Sequence, residues 1–105
     1  MAYDPVLAER VRERVGSDVA ITEKRMFGSL AFLWDGHIVV GVQMEGLLLR
    51  VAHEDLDAVL REPGVAVADM GGKTMKGWVT VDGAYLDDDA LDRWLQVGLD
   101  YATGA

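Results

Sequence analysis

The sequence contains no cysteine. That absence removes disulfide scaffolds, thiolate zinc sites, iron–sulfur clusters and thiol nucleophiles in one step. Histidine is scarce as well, with only His37 and His53 in the chain. A zinc site or a catalytic triad built on either would have to gather its other members from distant segments. The carboxylates nearest in sequence, Glu54 and Asp55, sit on a helical stretch expected to face solvent. Ser17 and Ser29 lack the tight-turn surroundings of a nucleophile elbow. No catalytic residue, no metal ligand set and no cofactor site is expected, and the reading is that the protein is not an enzyme. No apolar run approaches the roughly 18 residues a membrane span needs, and the segment after Met1 is too charged for a signal peptide. The expectation is a soluble, cytoplasmic protein with no membrane partner.

Positive charge is the next shortage, with 10 Lys and Arg against 18 Asp and Glu and a net charge of −8. A phosphate backbone is repelled by such a chain as a whole, so direct nucleic-acid contact is disfavoured and would need a local basic patch. Apolar residues, by contrast, make up 50% of the 105 positions, which excludes disorder. The length suits one domain, residues 1–105, with a core that needs neither disulfide nor metal.

Taken in order, Asp4-Pro5 marks a helix start, an acceptor for free amides followed by a residue already fixed at helical φ. Leu7, Val11 and Val15 form one stripe, and Gly16 closes the helix. Val19 to Ile21 reads as a short strand or the approach to the main sheet. Asp35-Gly36 between two apolar runs is a strong two-residue hairpin signal, because a type I′ turn needs positive φ at both central positions. Its register sets Trp34 opposite His37, Leu33 opposite Ile38, Phe32 opposite Val39 and Ala31 opposite Val40. A second turn near Glu45-Gly46 pairs Val42 with Leu49 and Gln43 with Leu48. A short helix follows over roughly His53 to Arg61, ended by Pro63-Gly64, then a brief strand over Val65 to Val67. Asp69 to Lys76, with Gly71 and Gly72, reads as a loop, and Trp78 to Val81 as a short strand. Gly72-Lys73-Thr74 is not the end of a phosphate-binding loop, since Val67 stands where the first glycine of that motif belongs. Asp87, Asp88 and Asp89 cap a final helix rather than hold a metal, with Leu91, Trp94, Leu95, Gly98, Leu99 and Ala102 on its inner stripe. The order of helix, strands, helix, two strands, helix gives an α+β, two-layer domain with a mainly antiparallel sheet.

Alternation along the strands sorts the sheet into two faces. Ala31, Leu33, Ile38, Val40, Val42, Met44, Leu47, Leu49 and Val51 make one face, wholly apolar, and are expected under the helices. Leu30, Phe32, Trp34, His37, Val39, Gly41, Gln43, Leu48 and Arg50 make the other. A face meant only for water does not hold Phe32, Trp34 and Leu48 together. It is therefore the candidate interaction surface, with Phe32, Trp34, Val39 and Leu48 at its centre and His37, Gln43 and Arg50 around them. Two further segments mix cations with large apolar groups: Lys24-Arg25-Met26-Phe27-Gly28 and Met75-Lys76-Gly77-Trp78. Met26, Phe27 and Met75 read first as core residues. Should the segments meet, they would instead form an apolar patch rimmed by Lys24, Arg25, Lys73 and Lys76.

These segments, with the hairpin between them, resemble the N-terminal domain of the TfoX/Sxy family of bacterial competence regulators. The matching pieces are Arg25-Met26-Phe27-Gly28, Leu30-Ala31-Phe32 leading into Asp35-Gly36, Leu47-Leu48-Leu49 ending in Arg50-Val51, Pro63-Gly64, and Met75-Lys76-Gly77-Trp78. Trp94 and Tyr101 of the closing helix fit too. The resemblance implies a secretion-chaperone-like fold with helices on one side of an antiparallel sheet. It also implies a role near competence regulation, where longer members act with a cyclic-AMP-dependent activator and carry a second, C-terminal domain that is not expected here. The leading functional expectation is a non-enzymatic interaction domain, paired with a second copy of itself as a homodimer or with another protein. One alternative is an accessory transcription regulator with weak or indirect DNA contact through Lys24, Arg25, Lys73 and Lys76. Another is a small-molecule-binding protein or enzyme of unknown reaction, which a pocket between His37 and Arg50 would favour.

Overall fold

Asp35 and Gly36 both take positive φ, at 48° and 81°, and Trp34 faces His37 across them, so the type I′ turn forms as its dipeptide dictates. The computed structural model describes residues 3–16, 18–26, 28–70 and 72–104, so Ser17, Phe27 and Gly71, singled out above, lie outside it. The Asp4 carboxylate accepts from the amides of Val6 and Leu7 at 2.9 and 3.3 Å and opens helix α1, Pro5–Val15. Strands β1 (Ile21–Met26), β2 (Ser29–Trp34), β3 (His37–Val42) and β4 (Gly46–Arg50) follow. A 3-10 turn over His53–Asp55 leads into α2, Leu56–Leu60, and then come β5 (Val65–Met70), β6 (Lys73–Asp82) and α3 (Asp88–Thr103). The six strands form one antiparallel sheet in the order β1-β2-β3-β4-β6-β5.

Two elements differ from the sequence reading. β1 is a full strand and not just an approach, paired with β2 along its whole length. Its polar composition suits an edge strand, where charge discourages pairing with other chains. Asp69 to Lys76 is the tip of a hairpin and not a loop, with Asp69 opposite Thr74 and Met70 opposite Lys73. Gly72, at φ 84°, and the Asp69 carboxylate, which accepts from the Gly72 amide at 2.9 Å, serve a tight turn.

All three helices contribute to a core on one face of the sheet. Leu7, Ala8 and Val11 of α1 and Leu91, Trp94 and Leu95 of α3 pack with Leu30, Phe32, Val39, Val40, Val42, Leu47, Leu49, Val79 and Val81, while Leu56, Val59 and Leu60 of α2 lean on the same cluster. Complete burial of a leucine or phenylalanine stabilises by about 1.5–3 kcal/mol, so this layer dominates folding. The acidic run is used locally. Asp87 caps α3 by accepting from the Ala90 amide at 2.8 Å, and Asp88 ties α3 to α1 through Arg10 at 3.1 Å and Arg14 at 3.0 Å. The hydrogen bond from Arg10, then that from Arg14, holds the Asp88 carboxyl below its ordinary range. Glu23 is lowered likewise, first by its hydrogen bond from Arg12, which ties β1 to the same helix.

The register departs from the simple alternation at one point. Leu33 faces Ile38, but Phe32 faces Val40 and not Val39, so β3 carries an extra residue at Val39. This β-bulge reverses the facing of the inner half of β2 relative to β3. Ala31 therefore faces Gly41, not Val40, and Leu30 faces Val42. The second turn lies one residue earlier than expected, with Val42 facing Leu47 and Gly41 facing Leu48, a two-residue slip in register that leaves the facing of β4 unchanged. The Val39 carbonyl lies against Gly98 of α3, where a Cβ would collide with it, so bulge and glycine fit each other.

The sheet is also forked. β3 and β4 pair only near their connecting turn, while β2 accompanies β3 to His37 and β6 accompanies β4 to Arg50. α3 lies over β3, and its last turns bring Tyr101 and Ala102 to the mouth of the fork beside His37 and Arg50.

Candidate functional site

The face without helices is the place where unused chemistry collects. Following the observed pairing, Lys24 and Met26 of β1, Ser29, Ala31 and Leu33 of β2, Ile38 and Gly41 of β3, Leu48 and Arg50 of β4, and Trp78 of β6 point to it. The candidate surface read from sequence is therefore divided. Phe32 and Val39, each 1% exposed, are core residues under the helices, and Trp34 packs half-buried against the same core. These three correct the sequence reading, and the bulge at Val39 is the reason. In the same way Ala31, Leu33 and Ile38, expected under the helices, belong to the open face. Gln43, Leu48 and Arg50 remain with the open face, and His37 stands exposed at the fork.

An apolar groove of about 210 Å³ runs along this face. Met26 from one edge of the sheet and Met75 and Trp78 from the other side line it together, with Ala31, Ile38 and Leu48 as its floor and Ser29, Gly41 and Gln43 between them. Gly77 makes the meeting possible. It takes φ 82° within β6 while its carbonyl accepts from the Val51 amide at 2.9 Å, so the hairpin beyond it bends relative to the strand. Met26 and Met75 are half-buried groove walls and not members of the main core, which corrects their first reading. Gly41 has no side chain to fill the floor between Ala31 and Leu48, and a Cβ there would meet Leu48 at an ordinary 3.6 Å.

Beside the groove, at the fork, is a cleft of about 220 Å³ lined by Gly36, His37, Ile38, Arg50, Trp78, Tyr101 and Ala102. Ile38 and Trp78 belong to both hollows, which makes them neighbours. The Arg50 guanidinium lies 5.8 Å from the Trp78 ring centre and 5.3 Å from that of Tyr101. Arg10, Arg12, Arg14 and Arg93 each hold a carboxylate, whereas among the described residues none lies within salt-bridge reach of Arg25, Arg50 or Arg61. Sequence reasoning missed Tyr101 as a partner of Arg50, because nothing local connects the end of α3 to the end of β4.

The four cations proposed as one basic patch do not share one face. Lys24 points to the open face, Arg25 lies on the helix side over Tyr3 at 5.8 Å, and Lys73 and Lys76 are exposed on β6. His37 and His53 lie at the ends of separate elements, and among the described residues no three metal-ligating side chains come together. A third hollow, about 290 Å³ between α1, α3 and Val39, has Arg14 in its wall, but that guanidinium is already engaged by Asp88 and Asp92. No described helix is long and apolar enough to cross a membrane.

The family model of the TfoX N-terminal domain matches residues 13–102. The chain belongs to the TfoX N-terminal domain family. No curated protein and no solved structure matches it. Within this TfoX N-terminal domain the motif residues have distinct positions. Met26, Met75 and Trp78 line the groove, Gly28 and Gly77 take φ 79° and 82°, Lys76 is exposed, and Arg25 braces Tyr3. Phe27 lies outside the described residues.

Proposed function

We propose that this domain is a non-enzymatic protein-interaction module that uses the open face of its sheet, in a regulatory setting such as its family suggests. The observation that carries this reading is the convergence of Met26, Met75 and Trp78 on one apolar groove from strands β1 and β6, which the sheet order separates. Thioethers, aliphatic carbons and an indole are the chemistry of an adaptable protein contact and not of proton transfer. The cleft between His37 and Arg50, beside the groove, is the hollow that the small-molecule reading asks for, and binding of a free metabolite there is the competing outcome.

The test compares wild type with Leu48→Glu, which places a charge on the groove floor without touching the core beneath the helices. Light scattering reports whether the partner is a second copy, and affinity capture from the native host reports a different one. The variant should keep its melting temperature within a few degrees and lose the partner. Recovery of the same partner by both proteins would remove the groove from the function. Direct DNA contact, the second regulatory reading, has its own check: binding to duplex DNA that weakens steeply with salt and fails in Lys76→Glu.

A further inference from the structure

We infer that the forked end of the sheet is a carboxylate-binding site, and that its occupant is an extended segment of a partner protein carrying aspartate or glutamate beside large apolar residues. This rests on the reading of the open face as an interaction surface and adds the chemistry of what binds there.

Three observations carry it. Arg50 is exposed, yet its guanidinium is positioned by Trp78 at 5.8 Å and Tyr101 at 5.3 Å. Both rings lie within cation–π reach of the guanidinium, and its planar fork of N–H donors matches the two oxygens of a carboxylate. Next, Arg10, Arg12, Arg14 and Arg93 each engage a carboxylate, while among the described residues Arg25, Arg50 and Arg61 do not, and of these three Arg50 is the one that lines the cleft. His37 offers a further polar group in the same cleft. Finally, Ile38 and Trp78 wall both cleft and groove, so a segment with its acid at Arg50 can place neighbouring apolar side chains between Met26 and Met75.

The same features argue against a polyanion. A single arginine suits one carboxylate, and a chain of net charge −8 repels a string of phosphates.

The experiment selects random short peptides displayed on phage against the immobilised full chain, then measures enriched peptides by fluorescence anisotropy. Enriched sequences should share an acidic residue next to large apolar ones. Changing that acid to its amide should weaken binding about tenfold, the scale of a hydrogen-bonded charge. Arg50→Gln should weaken the acidic peptide to the same degree and leave the amide peptide unaffected, since both changes remove one interaction. Arg50→Lys, which keeps the charge and loses the fork, should fall between.

Enrichment of peptides without acids would overturn the inference, as would no enrichment above a protein-free control. Equal losses by Arg50→Gln for acidic and amide peptides would reduce Arg50 to a structural role. Displacement of the peptide by inorganic phosphate but not by acetate would reassign the cleft to phosphoryl groups. If Leu48→Glu abolishes partner capture while Arg50→Gln leaves peptide binding intact, the groove stands and the carboxylate site falls. If neither variant changes anything, both fall together.

Discussion

The two faces of the sheet are made from alternating residues of the same strands, yet they differ in the kind of side chain they use. Beneath the helices are Phe32, Val40, Val42, Leu47, Leu49, Val79 and Val81, none more than 1% exposed. These are mostly branched side chains with few rotamers, and they hold one packing arrangement. The open face instead offers Met26, Met75, Trp78, Ala31, Gly41 and Leu48, long flexible groups around small ones. The charged groups divide in the same manner. On the helix side Arg12 meets Glu23, and Arg14 meets Asp88 and Asp92, whereas Arg50 rests between two rings. Stability is concentrated on one face, and side chains of the other can change at less cost to the fold.

The widest separation between the faces should appear on truncation. Phe32→Ala should cost about 3–5 kcal/mol and Leu48→Ala about 1 kcal/mol or less, measured by urea unfolding. Equal losses would end the comparison. Gly98→Ala should cost about 1–3 kcal/mol, since the new methyl group meets the Val39 carbonyl and must displace either α3 or the bulge. A neutral result would show that the bulge does not depend on the close approach of α3. Gly77→Ala should cost about 1–2 kcal/mol from its positive φ alone. Its more telling readout is hydrogen exchange, which should quicken in residues 73–77 and leave β2 and β3 unchanged.

The smallest effect concerns acid. Asp88 and Glu23 are held below their ordinary values of 3.8 and 4.5, so their ion pairs stabilise the fold above those values, and that contribution is lost as pH falls through the lowered ones. The melting temperature should therefore fall on acidification below about pH 4.5. Asp88→Asn should flatten part of that slope while leaving peptide binding at neutral pH unchanged. A slope identical in the variant would assign the acid sensitivity to other carboxylates.

Much of the architecture was legible because its rules act over a few residues. Asp4-Pro5 and Asp87 open helices by capping the nearest amides, and Asp35-Gly36 turns the chain through the sign of φ. The meeting of the Met26 and Met75 segments was legible only as a condition, since whether strands β1 and β6 share a groove depends on sheet curvature and on the bend at Gly77. The cleft was harder still. His37 and Arg50 were both singled out, but on a face assembled partly from core residues, and Tyr101 was not connected to them.

What the sequence determined by itself was the set of elements, their order, the antiparallel hairpins and the family. Those follow from hydrophobic period, turn chemistry and motif, each set by near neighbours. The tertiary structure decided which way β2 faces, where the sheet splits, and that Arg50 stands between Trp78 and Tyr101. Val39 and Val40 carry no local mark that one of them is extra. The bulge is fitted to a helix far along the chain, whose glycine gives the Val39 carbonyl its room, and so it could not be read from β3 alone.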